Sequence, residues 1–190
     1  MTALPRSLLP FLMILSLSAC TQILTATHDR PIEEDPGSRS LGSYIDDEII
    51  ETKATVNIRK THPELDSAHI TVTSHNGIVL LTGQVANLEL REQAAEVANK
   101  LKKVRKVHNE LSVGEPTSML TRSNDGWLST KVKSRLSLHE QLDASRIKVV
   151  TENGAVYLLG MVSKSESDIA ARIASETKGV QKVVRVFEYY

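Results

Sequence analysis

Ile70-Thr-Val-Thr-Ser-His-Asn-Gly-Ile-Val-Leu-Leu-Thr-Gly-Gln-Val85 is followed, 77 residues on, by Ile147-Lys-Val-Val-Thr-Glu-Asn-Gly-Ala-Val-Tyr-Leu-Leu-Gly-Met-Val162. In each stretch an Asn-Gly pair, Asn76-Gly77 and Asn153-Gly154, separates two runs rich in β-branched residues. Asn-Gly supplies the two positive-φ positions of a type I′ turn, so each stretch predicts a β-hairpin. The chain carries two copies of one hairpin unit, and the rest either completes those units or attaches them to something.

Working outward from the first hairpin, Ile50, Ala54 and Ile58 form an i, i+4, i+8 stripe behind Asp46-Asp47-Glu48. Acidic residues suit a first helical turn, so the pattern predicts a helix of about four turns, ended at His62-Pro63 because a residue before proline leaves the α region. Gly83, late in the hairpin, marks a bulge or a close backbone approach. Leu90, Ala94, Val97, Ala98 and Leu101 give the inward face of a second helix, and Val104, Val107, Leu111 and Val113 a short final strand. The order α, β, β, α, β then repeats. Asp125 is the expected N-cap of a helix through Leu128, Val132 and Leu136. Ile169, Ala170, Ile173, Ala174 and Thr177 make the next helix, and Val180, Val183, Val184, Val186 and Phe187 close the unit. The expected fold class is α+β, with two tandem units at 44–113 and 124–190 joined by a linker at 114–123. Each unit, at roughly 65 to 70 residues, is marginal for one core, and packing of the copies on each other would complete both. Strand order is open, although a helix between the second and third strands would make the sheet mixed.

Before the first unit, Arg6, an apolar run over 8–17 and the small residues Ser18 and Ala19 read as a secretory signal spanning 1–19. The run is too short to cross a bilayer. Leu17-Ser18-Ala19-Cys20 resembles the lipobox of bacterial lipoproteins, which implies acylation of Cys20, the single cysteine of the chain. Acyl chains contribute about 0.8 kcal/mol per buried methylene, so two or three make a lasting anchor. Thr21 rather than Asp follows the cysteine, and by that resemblance implies sorting to the outer membrane, facing the periplasm. Residues 20–43, with Pro31, Pro36 and Gly37 among mixed charges, read as a tether. Its r.m.s. span is on the order of 25 Å.

Asp47, Asn76-Gly77, Val79, Leu81, Gly83, Ala94-Ala95 and Val104 with Val107 resemble the pattern of a BON domain. So do Asp125, Asn153-Gly154, Val156, Leu158, Gly160, Ala170-Ala171 and Gly179-Val180 with Val183. Lys103 stands where the first copy lacks the late glycine, so its second helix is expected to end differently. The chain is similar to outer-membrane lipoproteins carrying two BON domains. That resemblance implies a non-enzymatic role in membrane integrity, phospholipid as ligand, and no cofactor.

Lys plus Arg and Asp plus Glu balance at 23 each, so no global field points to nucleic acid, and a charged partner must be met by a local patch. His62, His69, His75, His108 and His139 fall in no metal or nucleophile spacing and read as surface or hairpin-edge residues. The carboxylates Asp46, Asp47, Glu48 and Glu51 are accounted for by the helix dipole. Trp127 is more informative: it lies about 100° from the Leu128–Val132–Leu136 stripe and aligns with Lys131, Ser134 and Leu138. With Lys133 and Arg135 on the same helix, Trp127, Leu128, Lys131, Val132, Lys133, Ser134, Arg135 and Leu138 form the expected phospholipid-binding set. The ligand would be an anionic lipid, phosphatidylglycerol or cardiolipin. The alternative for Trp127 is packing against the first unit, where Ile49 holds the matching position. A second cationic patch, Lys100, Lys102, Lys103, Arg105 and Lys106, is either a solvated helix end or a docking surface for envelope protein complexes. Adaptor to outer-membrane protein assembly or cell division is therefore the second functional reading.

Overall fold

The computed structural model describes residues 37–190. The expected signal at 1–19, the expected acylation site Cys20 and the expected tether up to residue 36 lie outside them. Residues 37–190 belong to one compact unit. Its elements are α1 (Leu41–Thr61), α2 (Pro63–Ser67), β1 (His69–His75), β2 (Ile78–Val85), α3 (Leu88–Asn99), β3 (Lys106–Val113), α4 (Met119–Ser137), a 3-10 turn at Ala144–Arg146, β4 (Ile147–Glu152), β5 (Ala155–Val162), α5 (Lys164–Ser175) and β6 (Lys182–Tyr189). Each copy has one three-stranded sheet, ordered β1-β2-β3 and β4-β5-β6. The hairpin pairs are antiparallel, and β2–β3 and β5–β6 are parallel, so both sheets are mixed.

The Asn-Gly pairs behave as their chemistry requires, with φ of 52° and 75° at Asn76-Gly77 and 47° and 75° at Asn153-Gly154. The helix starts differ from expectation. Ser40, whose side chain accepts from the Ser43 amide, caps α1, and Ser118, accepting from the Thr121 amide, caps α4. Both helices thus begin well before Asp47 and Asp125, in stretches expected to be tether and linker. α1 runs for 21 residues, nearer six turns than four. Asp125 is not an N-cap, and Asp46–Glu48 are not in a first turn.

Asp47 and Asp125 instead face inward and hold the hairpin turns. Asp47 accepts from the amides of Asn76 (2.7 Å) and Gly77 (2.9 Å), the Ser74 hydroxyl (2.6 Å) and Arg39 (3.0 Å). Asp125 accepts from the amides of Asn153 (2.8 Å) and Gly154 (2.9 Å). Burial alone would raise the Asp47 pKa, but the Gly77 amide, the Ser74 hydroxyl, the Asn76 amide and Arg39 outweigh it and hold the carboxyl below its ordinary value. Two more carboxylates of the expected cluster are engaged as well: Asp46 with Lys103 and Glu51 with Lys148.

Lys103 makes the same left-handed turn as Gly179, with φ of 70° against 107°, so α3 and α5 end alike and the expected difference does not arise. A non-glycine residue in that region carries about 1 kcal/mol of strain. Lys103→Gly is therefore expected to raise stability by about 0.5 kcal/mol after loss of the exposed Lys103–Asp46 pair, read as a higher thermal midpoint.

The strands' period of two sorts their side chains into three cores. In the first copy Val79, Leu81 and Val85 pack under Ile50, Ala54, Ile58, Leu90, Ala94 and Ala98. In the second, Val156, Leu158 and Val162 pack under Val132, Leu136, Ala170 and Ala174. The alternate residues, Ile78 and Leu80 with Tyr157, Leu159 and Val186, meet each other. The two sheets are thus face to face, and residues 37–190 are layered helices, sheet, sheet, helices. This shared core supplies what each small unit lacks, since one fully buried Leu, Ile or Tyr is worth about 2 kcal/mol. Polar pairs rim it: Glu188 with Arg105 (2.7 Å) and Asn76 (3.0 Å), Glu152 with Gln84 (2.8 Å), and Glu51 with Lys148 (2.8 Å).

His75, expected near the surface, is only 4% exposed at this rim. Burial, then the cations Arg39 and Lys148, lower its pKa from 6.5 to about 4, with Asp47 and Glu188 opposing. A histidine kept neutral in the fold and free to protonate when unfolded stabilises fully above pH 6.5, and that contribution fades as pH falls to about 4. Roughly 3 kcal/mol is at stake. Urea midpoints measured from pH 7 to 4 are expected to fall more steeply for the wild type than for His75→Gln.

Candidate lipid-facing surface

The face of α4 that looks inward is set by Leu128, Val132 and Leu136, which are buried, together with the turn-holding Asp125. Leu128 (3% exposed) and Val132 (0%) therefore leave the phospholipid-binding set: they are core residues that reach no surface. Trp127 is 70% exposed on the outer side of the helix and does not pack against the first copy. Leu138 is exposed on the same line. So is Leu120, a residue that sequence reasoning missed because it lay in the expected linker. Leu120, Trp127 and Leu138 are seven and eleven residues apart, close to two and three helical turns, so they stack along one edge. Exposed Met119 lies beside Leu120 at the start of α4. The Thr117-Ser118 pair before this apolar dipeptide was the available signal for an earlier helix start.

The polar members of the set differ in freedom. Lys131 donates its ammonium to the Lys178 carbonyl (3.0 Å), and Ser134 turns its hydroxyl back to the Thr130 carbonyl (2.9 Å). Arg135 reaches across to α5, donating to Thr177 Oγ1 (2.9 Å) and the Ile173 carbonyl (3.3 Å). Lys133 is exposed with no partner among the described residues. The arrangement is a line of apolar side chains bordered by cations.

The second cationic patch is largely neutralised. Lys100 pairs with Glu96, Lys103 with Asp46 and Arg105 with Glu188, which leaves Lys102 and Lys106 unpaired among the described residues. A different surface in the first copy is more apolar. On α1, Leu41, Ile45, Ile49 and Val56 are exposed on the side turned away from Ile50, Ala54 and Ile58. Tyr44, Ile45, Glu48, Ile49, Thr52 and Lys53 line a shallow groove of about 430 Å³ there. Because the sheets lie between, this stripe and the Trp127 stripe occupy opposite outer layers. Among the described residues no group of three His, Cys, Asp or Glu could hold a metal ion, and no helix is long and apolar enough to cross a membrane.

Fold and surface together define a class: a duplicated αββαβ module with exposed outward helix faces. The chain belongs to the BON domain family, whose model matches residues 46–115 and 124–189. It is 39% identical over 158 residues to the outer membrane lipoprotein DolP of Haemophilus influenzae, covering 83% of this chain and 81% of that one. A 21 kDa hemolysin of Actinobacillus pleuropneumoniae is 37% identical over 162 residues, 85% of this chain and 81% of the other. Osmotically-inducible protein Y of Escherichia coli is 28% identical over 152 residues, 78% of this chain and 75% of the other.

Proposed function

We propose that this protein is an outer-membrane lipoprotein, anchored through Cys20 on the periplasmic face, that engages anionic phospholipid with the outer edge of α4 and thereby supports membrane integrity. The observation that carries the reading is the exposed indole of Trp127 in line with Leu120 and Leu138. An indole favours the headgroup boundary, leucines enter the acyl region, and each nearby cation adds about 1 kcal/mol against an anionic surface. Similarity to a relative named as an outer membrane lipoprotein supports the location. The tether makes the lipid contact effectively intramolecular, so weak headgroup affinity suffices.

Titration with phosphatidylglycerol or cardiolipin vesicles is expected to shift Trp127 emission to the blue, whereas phosphatidylcholine does not. In vesicle sedimentation Trp127→Glu is expected to weaken binding at least about tenfold, since it replaces an apolar anchor with a like charge. Unchanged emission, or equal binding of the variant, would defeat the reading.

The α1 stripe favours a second role, as a docking face for an envelope protein. A flat bilayer under α4 leaves α1 pointing away, and its exposed ridge suits helix-to-helix packing. In the same vesicle experiment Ile49→Glu is expected to bind like wild type, while losing co-purification with its envelope partner.

A further inference from the structure

Where α4 and α5 run together, Arg135, Leu138, His139, Arg172, Ile173 and Glu176 line an open groove of about 410 Å³. We propose that this groove is a phosphate-binding subsite, taking the phosphodiester of a lipid headgroup or a free phosphate. The lipid source rests on the reading of α4 given above.

Three donors converge on it. The Arg135 guanidinium is held in place by Thr177 Oγ1 and the Ile173 carbonyl, and the Thr177 hydroxyl donates to that same carbonyl (2.8 Å). Its orientation is therefore fixed before any ligand arrives, and the fork retains N–H groups for a phosphate oxygen. Arg172 is exposed, and its guanidinium has no partner among the described residues. His139 accepts the Gln141 amide on Nδ1 (3.3 Å), which makes Nε2 the donor toward the groove. The counter-charge is weak: Glu176, itself exposed, stands 3.8 Å from Arg135. Helix dipoles favour cations in last turns, but they do not call for two arginines and an imidazole around one groove. Leu138, on the rim, also ends the apolar line of Trp127 and Leu120, so a headgroup seated here has its acyl chains beside that line.

Glu176 competes with an anion for Arg135, which yields a gain-of-function test. Wild type, Arg172→Glu, Glu176→Gln and Trp127→Glu would be titrated with inorganic phosphate, with glycerol 1-phosphate, and with vesicles of phosphatidylglycerol or phosphatidylcholine. Thermal midpoints are recorded alongside, and they should hold in the groove variants because Arg172 has no partner to lose and Glu176 loses only a long, exposed pair with Arg135. Expected are about tenfold weaker phosphatidylglycerol binding in Arg172→Glu and severalfold tighter binding in Glu176→Gln. Phosphatidylglycerol binding that fails in Trp127→Glu but is unmoved by both groove variants overturns the groove while leaving the α4 reading intact. Free phosphate that binds with the Arg172 and Glu176 dependence, with Trp127 silent on vesicles, keeps the groove and removes the lipid source. No binding of any probe that responds to Arg172 or Glu176 removes the proposal.

Discussion

Asp47→Ala is expected to lower folding stability by about 4 kcal/mol, seen as a large drop in the urea midpoint with little change in slope. The carboxylate is 3% exposed and accepts four hydrogen bonds, two from the amides of the Asn76-Gly77 turn. Alanine leaves the Gly77 amide and the Ser74 hydroxyl buried without a partner, and each such group costs about 1–3 kcal/mol. It also frees Arg39 beside His75, whose neutral form is favoured in part by that cation. Asp125→Ala removes a carboxylate with two turn amides to satisfy and should cost less. A loss below about 1 kcal/mol for Asp47→Ala would mean that water takes over the turn amides, and the clamp would then be incidental.

Gly83→Ala is expected to be as damaging, by about 4 kcal/mol or more, with much of the protein unfolded or insoluble on expression. Gly83 has φ of 123°, a region closed to residues with a Cβ. An added Cβ would stand 1.9 Å from the His69 carbonyl oxygen across the β1–β2 ladder, so backbone rather than a flexible side chain would have to move. The corresponding Gly160→Ala meets the Arg146 carbonyl at 2.4 Å and should show the same defect in somewhat milder form. Circular dichroism and denaturant midpoints of the two variants side by side check the ranking. Full stability of Gly83→Ala would require strand β1 to relax without loss of the core against which Ile70 and Val72 pack.

The α4 surface was half legible before folding. Angular position on a helix is local, so the offset of Trp127 from Leu128, Val132 and Leu136 already placed the indole off the core. The expected phospholipid-binding set nevertheless took in Leu128 and Val132, although they lie on that core stripe, and their burial removes them. Lys131 and Arg135 are cations in any reading of the chain. That their head groups are drawn to Lys178, Ile173 and Thr177 depends on α5 lying alongside, some 40 residues away. The groove with Arg172 has the same origin.

What the chain's order of residues determined alone was local. Asn-Gly turns impose positive φ wherever they occur, proline after His62 stops a helix, and a repeat of 77 residues yields two like units. Tertiary structure decided what depends on contact across distance. Asp47 and Asp125 look like helix-opening acids until the turns some 28 to 30 residues on are brought to them. Ile78-Val79-Leu80-Leu81 is apolar on both faces of its strand, but only the meeting of the two sheets specifies that the second face belongs to the other copy. The physical reason is common to these cases: backbone preference is a property of neighbours in sequence. Burial, and with it the choice of partner for a carboxylate, a cation or an apolar face, is a property of neighbours in space.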